Sequence, residues 1–239
     1  MQKIQLVLMK IYFGLKSLIA LFAALLGFTS CVDQYTIAGS SSVSCFDGRM
    51  LYLRVASDEM NLVDVDSCKV IHGRFDFFGN VDSVVLAQLF MENEKVMPVV
   101  LEEGNLTVEV DHSGQQVVGG PYNERLYKFL REKSKIEHKQ WELDQKFLMM
   151  MKDGKSLDEI QQKLGRKSLQ LSEKMEDLET KFIIENFDNP LGVGYFILLF
   201  GQYPYPVMTD QVKNIIKLAP ADFLGNPFVS SYLRKAKDY

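Results

Sequence analysis

The sequence predicts an α+β protein: an N-terminal antiparallel β-sandwich or open barrel, followed by a C-terminal helical region with a long αα-hairpin. Three observations predict it. Between about residues 50 and 118, apolar residues recur with a period of two in short runs separated by turn residues. At Gly119-Gly120-Pro121 the period becomes helical. A single break at Asp153-Gly154 then divides a long amphipathic stretch in two. On this reading 1–30 is an export leader, 31–120 a β-domain and 121–239 a helical region.

The mature chain opens over Val32 to Val43 with a serine-rich patch at Ser40-Ser41-Ser42, which is given no element. Asp47-Gly48 reads as a tight hairpin turn ahead of the first strand. In that strand Leu51, Leu53 and Val55 alternate with Tyr52, Arg54 and Ala56. Val70 to Phe78 offers two short strands about Gly73, with Phe75 and Phe77 on one face. Val84 to Met91 is almost continuously apolar, as a central strand requires. Val96 to Leu101 and Leu106 to Val110 flank Glu102-Glu103-Gly104-Asn105 and read as a hairpin, with both glutamates in solvent. Val117-Val118 closes the β region.

Leu126, Phe129, Leu130 and Ile136 lie at helical spacing, so a helix runs from about Asn123 to Lys152. Ser156 and Glu159 have the spacing of a capping box that opens the second helix, whose apolar positions continue from Ile160 to Phe182. Leu191 to Phe200 is apolar all round and predicts a short buried helix, with Gly192 and Gly194 allowing close packing. Tyr203-Pro204-Tyr205-Pro206 forms a rigid turn, Thr209 caps a helix to Leu218, and Asn226-Pro227 opens the last one.

The N-terminus carries the strongest signal. Lys3, Lys10 and Lys16 precede a run of roughly a dozen mostly apolar residues, too short for a permanent span of about 20. Thr29-Ser30-Cys31 then supplies small residues before a cysteine, the pattern of a bacterial lipoprotein signal, with the start at Met1 or Met9. The expectation is cleavage before Cys31 and attachment of lipid to its thiol. Several acyl chains at about 0.8 kcal/mol per buried CH2 make such an anchor durable. The protein would then sit in the cell envelope, tethered to the outer membrane and facing the periplasm. Val32-Asp33-Gln34 lacks the acidic run expected of a surface-export tag.

Removing the three leader lysines leaves 24 Lys and Arg against 31 Asp and Glu. That balance argues against nucleic acid, which needs clustered cations. With Cys31 lipidated, Cys45 and Cys68 remain as a candidate disulfide or as two unrelated buried thiols. A bridge would close a loop of about 24 residues and contribute roughly 3 kcal/mol.

Phe46-Asp47-Gly48 before Met50 to Leu53, Asp66-Ser67 leading to His72-Gly73-Arg74-Phe75, and Leu101 to Val108 form a recognisable series. With Gly119 to Asn123 as its exit into helix, it resembles a domain of unknown function. That domain stands at the N-terminus of thioredoxin-like thiol–disulfide oxidoreductase lipoproteins of Bacteroidetes. The resemblance covers about Tyr35 to Lys135 and implies the fold more than the chemistry. In those oxidoreductases a thioredoxin domain with a Cys-x-x-Cys pair follows. This chain has no Cys-x-x-Cys and ends near where that domain would begin, so a stand-alone member is expected.

Other chemistry is thin. His72, His112 and His138 are scattered and lack metal-ligand spacing. Asp64 and Asp66 would share a strand face, reading as an exposed strand end or a weak cation site. Trp141, Met149, Met150, Met151, Tyr203 and Tyr205 read as core packing between helices, with an apolar groove as the alternative. No nucleophile elbow or zinc-protease motif appears. No catalytic, cofactor or metal site is assigned. The expected role is non-enzymatic binding or scaffolding with a protein partner in the envelope. The resemblance offers an alternative: an accessory to a thiol–disulfide or peroxide-handling system, acting in trans.

Overall fold

In the structure, a computed structural model, residues 34–57, 61–80, 82–201, 203 and 205–237 are described. The expected signal peptide and Cys31 lie outside them, as does Pro204 of the expected rigid turn.

Eight strands form two four-stranded sheets: β1 (Gln34–Ser41), β2 (Met50–Ala56), β3 (Leu62–Lys69), β4 (Arg74–Asn80), β5 (Val85–Met91), β6 (Glu94–Leu101), β7 (Gly104–Asp111) and β8 (Gly114–Val118). The first sheet has the order β4-β1-β7-β8 and the second β3-β2-β5-β6. The inner faces follow the period-two pattern. Tyr35, Ile37, Phe75, Phe77, Leu106 and Val108 of one sheet meet Leu51, Leu53, Ala87, Leu89 and Val99 of the other in one core. This is the expected sandwich with one departure, since β1 and β7 pair in parallel.

β1 is a strand that periodicity does not predict. Its buried Tyr35, Ile37 and Gly39 alternate with exposed neighbours, but small and hydroxylated residues dilute the signal. A Cβ on Gly39 would lie 2.0 Å from the Phe75 ring, so this strand is tailored to that aromatic.

Two expected hairpins are crossovers between the sheets. Asp47-Gly48 leads from β1 to β2, in different sheets. There Gly48, at φ 77°, donates its N–H to Val70 O, and Asp47 Oδ1 accepts from Gly73 N. Likewise β6 and β7 lie in different sheets, and Glu102-Glu103 carries the chain across. Val70 to Phe78 is a turn at His72-Gly73, both at positive φ, followed by the single strand β4.

Six helices follow: α1 (Pro121–Lys152), α2 (Leu157–Ile184), α3 (Pro190–Phe200), α4 (Asp210–Leu218), α5 (Ala221–Gly225) and α6 (Pro227–Lys237). Ser156 Oγ accepts from Glu159 N and Thr209 Oγ1 from Val212 N, as the sequence predicts. α3 packs on the outer face of the second sheet at β5, and α1 meets edge strand β6 and β8. Gly194 of α3 sits where a Cβ would approach Leu86 Cβ to 2.6 Å, and a Cβ on Gly192 would meet Asn186 O at 2.2 Å. Sandwich and helices share one hydrophobic core.

Candidate functional site

The helical hairpin is the most distinctive surface feature. α1 has 32 residues and α2 has 28. At about 1.5 Å per residue the pair extends over 40 Å.

The root of the hairpin is held from both sides. Glu102, expected in solvent, is 3% exposed. Its carboxylate accepts from Tyr122 N, Asn123 N and Asn123 Nδ2, closing the amino end of α1. Asn123 donates to Val100 O and accepts from Val100 N, pairing with edge strand β6 as a strand would. Phe129 stacks on Phe182 with ring centres 4.0 Å apart, and Tyr195 meets both edge-on. Beside them the buried Glu179 takes an ion pair from Lys133 and a hydrogen bond from Tyr195 OH. Burial and then the Glu179 carboxylate push the Tyr195 phenol well above its ordinary value.

Beyond Leu130, α1 buries only Leu143, and the far half of α2 buries only Ile160 and Leu171. None of these three belongs to the main core. The far half of the hairpin therefore sustains itself by helix-to-helix packing and leaves apolar residues uncovered. Trp141 is 56% exposed, Leu148 60% and Leu169 60%. Trp141 and Leu148 are seven apart and share a face. Phe147, Met149, Met151 and Leu157 are exposed around the tip. Tyr203 and Tyr205 are exposed elsewhere. The core-packing expectation is thus corrected for Trp141, Met149 and Met151, while Met150 is half-buried: the body does not reach far enough along the hairpin to cover them.

A groove of about 420 Å³ runs between the helices at Trp141. Ile136, Leu171 and Met175 join Trp141 in its lining. Glu137, Asp144, Glu176 and Glu179 also line it; Lys133 pairs with Glu137 and Glu179, so Asp144 and Glu176 carry its negative balance. His138 stacks on Trp141, with ring centres 5.9 Å apart. Trp141 and the methionine run were visible in the sequence as a groove alternative. Leu148 and Leu169 were missed, because their helical spacing looks the same whether a neighbour covers them or not.

The remaining expected sites do not converge. Cys45 is exposed in the 3-10 turn Ser44–Phe46, Cys68 is half-buried on β3, and both are free thiols. Burial pushes the Cys68 thiol up to about 11. Asp64 pairs with Arg54, whereas Asp66 accepts from Ser67 N and Phe78 N. The two carboxylates thus serve different partners. His72, His112 and His138 are exposed on separate elements. No group of three or more metal-ligating side chains occurs among the described residues. Among them, too, no helix is long and apolar enough to cross a membrane.

No curated protein and no solved structure matches the chain. Residues 35–126 match the family described as Domain of unknown function (DUF4369). That match runs from Tyr35 at the start of β1 to Leu126 in α1, and so includes the Glu102–Asn123 joint between sheet and helix. Over this stretch the chain belongs to the DUF4369 family.

Proposed function

We propose that this is a non-catalytic lipoprotein of the cell envelope. It is anchored through Cys31 and offers the far half of its helical hairpin to a protein partner. The anchor is supported by the basic and apolar leader ending at Thr29-Ser30-Cys31. The observation that carries the binding role is the exposed Trp141, which shares a face of α1 with exposed Leu148 and lines an acidic groove. Large apolar side chains left exposed beside a groove mark interaction sites.

The chemistry selects the occupant. An apolar floor suits one face of an amphipathic helix, and the lining carboxylates suit lysines or arginines on its flanks. The partner surface is therefore a basic amphipathic helix.

Trp141 is the only tryptophan in the chain, so its emission reports the groove directly. A tryptophan-free leucine–lysine helical peptide should shift that emission to shorter wavelength in a saturable titration. A leucine–glutamate peptide of the same pattern should not. Reversing Asp144 and Glu176 to lysine together should abolish the first response. Equal responses to both peptides, or none to either, would refute the groove as a site for a basic helix. Feeding cells a fatty-acid analogue tests the anchor separately: label should enter the wild type and be lost in Cys31→Ser, and an unlabelled wild type would end that part.

A further inference from the structure

The outer face of the second sheet is left open beside α3. Where Gly194 crosses Leu86, a cleft of about 190 Å³ remains. Leu62, Leu86, Ile197 and Leu198 give it apolar walls. Arg54, Gln88 and Lys95 bring nitrogen donors to the same space.

The strand register explains this grouping. Arg54 of β2 lies directly opposite Gln88 of β5, on the face turned away from the sandwich core. Arg54 is held firmly. Its Nε donates to Asp64 Oδ1 at 2.6 Å, and its guanidinium lies 4.6 Å from the Phe90 ring centre and 5.0 Å from that of Tyr52. Gln88 Nε2 is buried and has no hydrogen-bond partner among the described residues. A buried N–H without an acceptor is rare in folded proteins and calls for an explanation. Two cations against the one carboxylate of Asp64 leave the cleft with a positive balance.

We infer that this cleft binds a small carboxylate bearing a short aliphatic body. The acid would be met by Gln88 Nε2, Lys95 and Arg54, and the aliphatic part by the four apolar side chains. A cation is disfavoured by the charge, and a plain hydrocarbon would leave the Gln88 amide unsatisfied. A nucleotide exceeds the space. The inference does not depend on the hairpin partner proposed above.

A free acid and the C-terminal residue of a peptide offer the same chemistry, so both belong in the test. Purified full-length protein would be titrated by calorimetry and saturation-transfer NMR with hexanoate, hexan-1-ol and hexylamine. A tripeptide ending in leucine would be compared with its amide. Hexanoate or the free-acid tripeptide should bind, and whichever is tighter identifies the source. The alcohol, amine and amidated peptide should not bind. Gln88→Leu and Lys95→Met should each weaken binding by about tenfold, the usual value of a charge-assisted hydrogen bond. Lys95 is exposed, so its variant keeps the test valid even if Gln88→Leu fails to fold. Absence of carboxylate binding at millimolar concentration, equal binding of the alcohol, or wild-type affinity in folded variants would each overturn the inference.

Discussion

Glu102 shows how much one side chain can decide. Three N–H groups at the amino end of α1 converge on its carboxylate. Removing the acceptor would leave buried donors unmet at the positive end of a helix. Glu102→Ala should therefore cost about 3 kcal/mol in urea denaturation, whereas Glu103→Ala, one residue on and exposed, should stay within about 0.5 kcal/mol. The sequence shows two adjacent glutamates before a turn glycine and nothing local to say which one turns inward. That choice is made by a helix 20 residues away. The serine and threonine caps were legible because donor and acceptor lie three residues apart. The thiols separate in the same way. Cys45 is exposed, and Cys68 is kept protonated by burial. At pH 8 iodoacetamide should alkylate Cys45 and leave Cys68 largely intact until denaturant is added, read by peptide mass.

Among the elements, the hairpin divides into a part the body holds and a part it does not. The root is fastened by Phe129, Phe182, Tyr195 and the Lys133–Glu179 pair. Further out, only Leu143, Ile160 and Leu171 are buried. Leu143→Ala should then cost about 2–4 kcal/mol against local opening of the far half, while Leu148→Lys, at an exposed position, should cost almost nothing. Native-state hydrogen exchange separates them: faster exchange across residues 135–170 in the first variant, unchanged exchange in the second. Helix lengths and breaks were readable because helical hydrogen bonds are local. Strand pairing was not. β6 and β7 are short apolar runs about a turn, the usual signature of a hairpin, yet they enter opposite sheets. What diverts the chain is the burial of Glu102 against α1, a contact outside any window that spans only the two strands. The exposed face at Trp141 and Leu148 illustrates the same limit from the other side. Periodicity predicts an apolar face but not whether anything packs on it.

The protein as a single cooperative body is expected to be sensitive to alkali. Burial raises the phenols of Tyr127 and Tyr195 and the thiol of Cys68 above their ordinary values. Each is an acid whose neutral form the folded state favours. Its contribution is therefore full below the ordinary pKa and is lost as pH rises beyond it. For Cys68 that window runs from about 9 to about 11, and for the tyrosines it begins near the ordinary phenol value of about 10. Stability should thus fall steadily above about pH 9, with the low-pH side unaffected by these three groups. Tyr127 and Tyr195 sit at the two places where helices join the rest of the protein. Tyr127 OH donates to Pro98 O of edge strand β6, and Tyr195 OH donates to Glu179 within the hairpin root. Ionising either one removes a donor from the joint and buries a negative charge, which for Tyr195 lies directly against the Glu179 carboxylate. A late phase of tyrosinate absorbance at about 295 nm should accordingly coincide with loss of far-ultraviolet dichroism, and the two probes should share one midpoint. Tyr127→Phe should lower stability at neutral pH by about 1 kcal/mol, through the lost hydrogen bond, and move the alkaline midpoint upward because one ionisable group has gone. A midpoint unchanged in Tyr127→Phe would show that the helices can detach from β6 before the sandwich opens, making the joint weaker than its buried hydrogen bonds imply.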